Sequence, residues 1–206
     1  MTKPITKLKS IEDSAIKLFA RKGIKEVTIK HIAKEAECSE GALYRHYSGK
    51  DEMAWKLYSR EVEKFATALQ AILRGKGTFS TRLKSAVELF YSLFDENPLV
   101  FTFILLSEYN FPLEQKVALD GNPYNLVFEF VKAGVKNGEF RIRDPKLGAA
   151  MVLGLVLQPA TLKASGRFEG RRMSEKIHEV VEACLGVLKA KVKKPATKAQ
   201  RHKGAP

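Results

Sequence analysis

The hydrophobic and polar positions of this 206-residue chain repeat with the period of an α-helix along most of its length. Residues 6–22, 50–73 and 80–96 each carry apolar side chains at steps of three and four, which places them on one helical face. Further helices are predicted over residues 99–109, 124–137, 146–164 and 174–188. Two prolines and a glycine favour a long loop over residues 110–123. With two short helices between residues 28 and 51, the pattern predicts an all-α protein of about nine helices.

The two short helices are predicted between Thr28 and Asp51, joined by a tight turn. Thr28 is a candidate N-cap for the first helix, because its hydroxyl can accept from an early backbone N–H. Glu37 and Cys38 interrupt the apolar run, and Ser39 is a candidate cap for the second helix. A helix-turn-helix therefore lies within this stretch.

The second short helix is predicted to bury one side and expose the other. Leu43 and Tyr47, four residues apart, would point inward. Gly41 and Ala42 are small, which suits a helix whose backbone must approach base edges in the DNA major groove. Exposed polar side chains beside them can donate to phosphates and so fix the position of the protein on DNA.

Residues 11–51 resemble the DNA-binding segment of the TetR family of bacterial transcriptional regulators. The pattern begins with I-E-D-S-A-I-K-L-F-A-R-K-G over residues 11–23. It continues through Val27, Thr28, Ile32, Ala33, Ala36, Ser39, Gly41, Leu43, Tyr44, His46, Tyr47 and Lys50. One departure lies in the turn, where the family usually has glycine followed by an aliphatic residue. A positive φ at Glu37 or Cys38 would be slightly strained, because neither residue is glycine.

The resemblance implies a division of labour along the chain. A three-helix DNA-binding domain is expected over residues 1–50, and a helical ligand-binding and dimerisation domain over residues 51–189. The candidate DNA-contacting residues are Thr28, Lys30, Ser39, Glu40, Gly41, Ala42, Tyr44, Arg45, His46 and Lys50.

Net positive charge is concentrated at the two ends of the chain. The net charge is +13 overall, with +5 over residues 1–50, +2 over residues 51–189 and +6 over residues 190–206. Basic ends favour contact with double-stranded DNA. Residues 190–206 are predicted to form a disordered basic tail, since they have almost no large apolar side chains. The tail is interpreted either as a tether that adds nonspecific DNA affinity or as a solubilising appendage.

The sequence contains no recognisable catalytic motif, so an enzyme is not expected. Its four histidines are scattered, and nucleophile-elbow, P-loop, zinc-protease and C-x-x-C patterns are absent from the sequence. No metal or cofactor is expected. No run of 18 consecutive apolar residues occurs, which predicts a protein without a membrane span and located in the cytoplasm.

Two late helices, about residues 145–164 and 173–189, are more apolar than one domain surface tolerates, which indicates that both face a partner. The resemblance implies that this partner is a second copy and that the helices form a four-helix bundle. A two-fold homodimer presents two DNA-binding helices at a fixed distance and therefore suits a pseudo-palindromic operator.

Aromatic residues are frequent in the predicted helices between residues 80 and 164, and most are expected to be ordinary core. The resemblance implies that some line a cavity for a small hydrophobic or amphipathic effector. The candidate ligand-binding residues are Phe101, Glu108, Tyr124, Asn125, Phe128, Glu129 and Gln158. The function predicted is a sequence-specific regulator, a repressor released from its operator by that ligand. The alternative is an architectural DNA-binding protein without an effector.

Overall fold

Helices form all the regular secondary structure in the part of the chain that the computed structural model describes, residues 7–117, 122–168, 170 and 172–190. The helices are α1 (Lys7–Lys22), α2 (Ile29–Glu35), α3 (Glu40–Tyr44), α4 (Lys50–Leu73), α5 (Phe79–Glu96), α6 (Pro98–Ser107), α7 (Leu113–Val117), α8 (Pro123–Lys136), α9 (Pro145–Ala164) and α10 (Ile177–Lys189), with 3₁₀ helices at Glu108–Asn110 and Ser174–Lys176. The predicted all-α class is confirmed. The predicted loop over residues 110–123 is partly wrong, because α7 lies within it. The predicted basic tail lies outside the described residues, apart from Ala190.

Helix termini follow the capping chemistry of the sequence at most positions. Asp144 caps α9, accepting from the backbone N–H of Lys146 at 2.8 Å, and Pro145 occupies the first turn. Gly23 ends α1 with a φ of 80°, a conformation that glycine adopts without strain.

The serines near the starts of α4 and α10 do not cap these helices. Gly49 occupies the N-cap of α4, and the hydroxyl of Ser48 donates to the Glu52 carboxylate at 2.7 Å. Ser174 begins a 3₁₀ helix ahead of α10, and its hydroxyl donates to Asp95 at 2.7 Å. Ser174 therefore ties the segment before α10 to the end of α5.

Helix α4 contributes side chains to two separate parts of the core. Helices α1, α2 and α3 pack against the first half of α4, where Met53 and Leu57 are fully buried. The second half, including Leu69 and Leu73, packs with α5, α8, α9 and α10. A single 24-residue helix thus enters both halves of the molecule.

Helix α6 places one aromatic side chain in the core that α1, α2 and α3 form with the first half of α4. Phe103 is fully buried, with its ring 5.7 Å from that of Phe19 and 6.5 Å from that of Tyr58. Phe111 follows it, 4.8 Å from Tyr58 and 5.2 Å from Trp55. The helices that precede α4 therefore share their core with residues about 80 positions further along the chain.

Helix α9 is apolar on more than one side. By length and composition the helix could cross a membrane. Its mean hydropathy is 1.4 over an 18-residue window, and 22% of that window is buried. One side packs against α6, α8 and α10, while Leu147 and Met151 remain 49% and 41% exposed. The helix thus combines core contacts with an uncovered apolar strip.

The two cysteines are expected to react at very different rates. Burial raises the pKa of the Cys184 thiol to about 11, so it stays protonated below that pH, whereas Cys38 is half-exposed in the turn before α3. Because the thiolate is the nucleophile, alkylation of the native protein near pH ~8 should label Cys38 and spare Cys184. Mass spectrometry of the labelled peptides measures this, with denatured protein as the control. Equal labelling of both thiols before unfolding would contradict the expectation.

Candidate functional site

The first helix of the helix-turn-helix starts with a reciprocal cap. The hydroxyl of Thr28 accepts from the backbone N–H of His31 at 3.2 Å, and the backbone N–H of Thr28 donates to Nδ1 of His31 at 3.3 Å. The backbone N–H groups of Thr28 and His31 at the start of α2 are thereby both paired. The predicted Thr28 cap is confirmed, and His31 serves in the position that glutamate or glutamine usually takes in such a box.

Helix α3 separates buried from exposed side chains as predicted. Leu43 is fully buried and Tyr47 is 7% exposed. The turn before α3 places Glu37 at a φ of 50°, the left-handed region in which glycine is favoured. Ser39 occupies the N-cap position, but its side chain makes no capping hydrogen bond.

Most of the candidate DNA-contacting residues are exposed to solvent on or beside α2 and α3. The exposed members are Thr28, Lys30, Ser39, Glu40, Gly41, Tyr44, Arg45 and His46, and the half-buried ones are Ala42 and Lys50. A side chain added at Gly41 would meet only the Ser39 hydroxyl, at 4.0 Å, so the helix backbone is open to an approaching duplex there. We call helices α1 to α3 the reader.

A buried polar cluster fixes the reader to α4. The Tyr47 hydroxyl donates to Glu12 at 2.6 Å, and the Arg60 guanidinium donates to the same carboxylate at 2.9 Å. Glu12 is only 8% exposed. Burial, and then the hydrogen bond to Glu12, raise the pKa of Tyr47. The sequence signal was present, because Glu12 lies four residues after Leu8 and three before Ala15, on the apolar stripe of α1.

A large apolar cavity, which we call the inner cavity, lies behind the reader. It has a volume of about 450 Å³ and is enclosed by α4, α5, α6, α8 and α9. Leu83 and Phe130, which are 4% and 5% exposed, mark its deep end, and Tyr109, which is 91% exposed, marks the end that reaches the surface. The lining is apolar except near that surface end.

A second, more open cavity of about 550 Å³ adjoins the first, and we call it the outer groove. It follows α9 from Lys146 to Thr161 and is closed on the other side by Asn125 and Phe128 of α8. The two cavities share part of their wall. The shared residues are Leu105, Glu108, Tyr109, Tyr124, Leu153 and Leu157.

The structure brings together all but one of the candidate ligand-binding residues. Phe101 lines the inner cavity; Asn125, Phe128 and Gln158 line the outer groove; Glu108 and Tyr124 line both. Glu129 lines neither cavity: it is exposed on α8 and pairs with Lys132 at 3.2 Å.

Several lining residues were not predicted from the sequence, above all those of α4. Tyr58, Val62 and Phe65 line the inner cavity. The signal was the width of the apolar stripe on α4, which is broader than one packing partner requires.

Polar groups meet at the wall that the two cavities share. The Tyr124 hydroxyl donates to the Glu108 carboxylate, and Lys116 Nζ donates to the Glu108 carbonyl oxygen at 2.9 Å. Burial, and then the hydrogen bond to Glu108, raise the pKa of Tyr124. Burial and the negative charge of Glu108 also raise the pKa of Tyr58. An acidic group thus lies in the wall that the inner cavity and the outer groove share.

Comparison with known proteins identifies the reader. Residues 11–55 match the family described as bacterial regulatory proteins, tetR family. The fatty acid metabolism regulator protein of Bacillus subtilis (strain 168) is 24% identical over 159 residues, which cover 75% of this chain and 82% of that protein.

Solved structures share the fold over almost the whole chain. The transcriptional regulator FadR from Bacillus subtilis, in complex with stearoyl-CoA, has a TM-score of 0.74 at 18% identity and covers 87% of this chain and 98% of its own. PfmR, a TetR family transcriptional regulator from Thermus thermophilus, has a TM-score of 0.72 at 21% identity and covers 92% and 99%. At these sequence identities the similarity shows the fold alone.

The family match covers most of α1, all of α2 and α3, and the start of α4. The remaining helices follow the fold of a solved member of the same family. Residues 11–55 therefore match the DNA-binding domain of the tetR family, and this match together with the shared fold supports a DNA-binding transcriptional regulator.

Proposed function

We propose that this regulator is a repressor that leaves a pseudo-palindromic operator when an amphipathic ligand fills the inner cavity. One observation supports the proposal above all: α6 lines the inner cavity with some of its side chains and packs against the reader with another. Phe101 and Leu105 line the inner cavity, whereas Phe103 lies between them in sequence and packs against Phe19 of the reader. A ligand that displaces α6 therefore acts directly on the core of the DNA-binding helices.

The ligand class follows from the shape and chemistry of the two cavities. An apolar chamber of about 450 Å³ whose lining also includes tyrosine, glutamate and lysine suits a hydrocarbon chain with a polar end. The relative from Bacillus subtilis is named as a fatty acid metabolism regulator, and the FadR structure contains stearoyl-CoA. We propose a long-chain acyl compound as the effector of this protein.

The mechanism is a shift between two arrangements of the dimer. The ligand favours one spacing of the two readers and operator DNA favours another, so each weakens the binding of the other by the same factor. Helix α4 participates because it carries Tyr58 at the cavity and Arg60 at the buried cluster with Tyr47. The proposal includes no catalytic step, and it places the protein in the cytoplasm, where its operator lies.

Dimers are typical of the family, and we propose that α9 and α10 form the interface of this one. The uncovered strip of α9 contains Leu147 and Met151, which are 49% and 41% exposed. Side chains added at Gly154 of α9 or Gly186 of α10 would meet nothing within 4 Å. Small residues beside exposed apolar ones allow a second copy to approach closely. We also propose that residues 1–50 read DNA, whereas residues 51–189 bind ligand and dimerise.

Met151→Glu is expected to convert the dimer into monomers. A charge placed in the apolar strip of α9 would have to be buried without a partner, which costs several kcal/mol. Light scattering coupled to size exclusion measures the mass. Leu99→Glu, at a 38% exposed position near the start of α6, is the matched control and should leave the oligomer unchanged. A dimeric Met151→Glu variant would exclude this interface.

The proposed function is tested by selecting bound sequences from a random DNA pool, with the full chain and a 1–189 truncation in parallel. A shared inverted repeat is expected, with roughly a thousandfold preference over random DNA, and long-chain acyl compounds should release the protein from it. Ligand binding without a change in operator affinity would contradict the release mechanism. Failure to enrich any sequence, with binding that collapses as salt rises, would instead favour the architectural alternative.

A further inference from the structure

Glu108 occupies the junction along the path that a chain-shaped ligand must take. It is shared by the inner cavity and the outer groove. The apolar end of such a ligand belongs in the inner cavity, so the group that follows the hydrocarbon chain must lie beside Glu108 and Tyr124. The chemistry of this pair therefore selects that group.

We propose that Glu108 excludes ligands with a free carboxylate and admits acyl chains that continue through a neutral linkage such as an ester or thioester. This inference rests on the proposed function and goes beyond it by assigning specificity to one residue. A free fatty acid would place its carboxylate next to that of Glu108, where the two like charges repel each other. A neutral carbonyl group brings no charge to the same position.

The surroundings of Glu108 support this assignment. Its carboxylate accepts from the Tyr124 hydroxyl, and its charge contributes to the raised pKa of both Tyr124 and Tyr58. The cation nearest in sequence, Lys116, donates to the Glu108 backbone carbonyl oxygen at 2.9 Å and lies 5.9 Å from the Tyr109 ring. Lys116 is thus already engaged at the surface end of the cavity.

A polar head beyond the neutral linkage has a separate place to go. The outer groove continues from Glu108 along α9 and offers Lys146, Asn125 and Gln158. Lys146 can attract an anionic head group there, away from the carboxylate at the junction. The same site therefore accepts a distant negative charge and rejects an adjacent one.

The test compares palmitate, methyl palmitate and palmitoyl-CoA, each below its critical micelle concentration, by titration calorimetry with the full chain. Wild-type protein is expected to bind methyl palmitate and palmitoyl-CoA, and to bind palmitate weaker by about tenfold or more, which corresponds to 1.4 kcal/mol. Glu108→Gln keeps an oxygen that can accept from Tyr124 but removes the charge. It should bind palmitate and methyl palmitate with nearly equal affinity.

Two further variants separate charge from hydrogen bonding. Tyr124→Phe removes the hydroxyl and leaves the carboxylate, so it should still discriminate against palmitate. Glu129→Gln makes the same change on the exposed side of α8 and should behave as wild type.

Equal binding of palmitate and its methyl ester by the wild type, as would happen if the ligand carboxylate paired with Lys116, would overturn the inference. So would discrimination that persists unchanged in Glu108→Gln. If none of the three compounds binds the wild type, or if they bind without releasing operator DNA, the proposed effector or the release mechanism fails instead. That outcome is distinguishable, because the inference concerns only the ratio between compounds that bind.

Discussion

Phe103→Ala is expected to lower the free energy of unfolding by about 3–5 kcal/mol, the cost of removing a fully buried phenylalanine ring. The side chain is completely inaccessible and contacts the rings of Phe19 and Tyr58. Because domains are typically stable by only about 5–15 kcal/mol, this loss would leave the protein close to unfolding at growth temperature. Operator binding should fall with it, since α1 loses its support.

Denaturant titration of the DNA-free protein measures the Phe103→Ala effect. Phe128→Ala is the control, since that ring is half-buried at the outer groove and its loss should cost only about 1 kcal/mol. Phe103→Leu keeps most of the apolar volume and should restore folding while weakening the response of DNA binding to ligand. Equal destabilisation by the two alanine variants would mean that α6 does not support the reader.

Ala86→Phe is expected to produce a regulator that stays on its operator in the presence of ligand. Ala86 lies on α5 in the wall of the inner cavity, and a phenyl group there would occupy space that the hydrocarbon chain needs. The affinity for palmitoyl-CoA should fall by about tenfold or more, the equivalent of 1.4 kcal/mol. The reader is not contacted, so operator affinity without ligand should be unchanged.

The matched control for Ala86→Phe is Ala71→Phe, the same change at an exposed position of α4. It should bind ligand and DNA as the wild type does. Calorimetry with palmitoyl-CoA and fluorescence anisotropy with a labelled operator measure the two affinities separately. Unchanged ligand affinity in Ala86→Phe would place the hydrocarbon chain outside the inner cavity.

Periodicity and capping chemistry predicted most of the secondary structure because both are local. Asp144 before Pro145 indicates the start of α9 through two adjacent residues. Leu43 and Tyr47 are both buried, as the spacing of four residues suggests, although Tyr47 lies three residues beyond the end of α3. The left-handed turn at Glu37 could also be anticipated from the family pattern.

Contacts between helices that are far apart in the sequence could not be predicted from local patterns. The apolar character of α6 indicates burial, but nothing local specifies that Phe103 packs against Phe19 rather than within the cavity wall. Glu108 and Glu129 look alike in the sequence, yet one lines both cavities and the other faces solvent beside Lys132. Only the relative placement of helices decides such cases.

The insertion of Phe103 and Phe111 into the core around Tyr58 limits how this protein can be recombined with its relatives. A hybrid regulator joined near residue 50 would combine a reader from one parent with a foreign α6, and the interlocking rings would no longer match. Exchanges that transfer α6 and the segment through Phe111 together with the reader preserve the match. Engineered sensors built on this chain should therefore keep α1 to α3 together with α6 and the segment through Phe111.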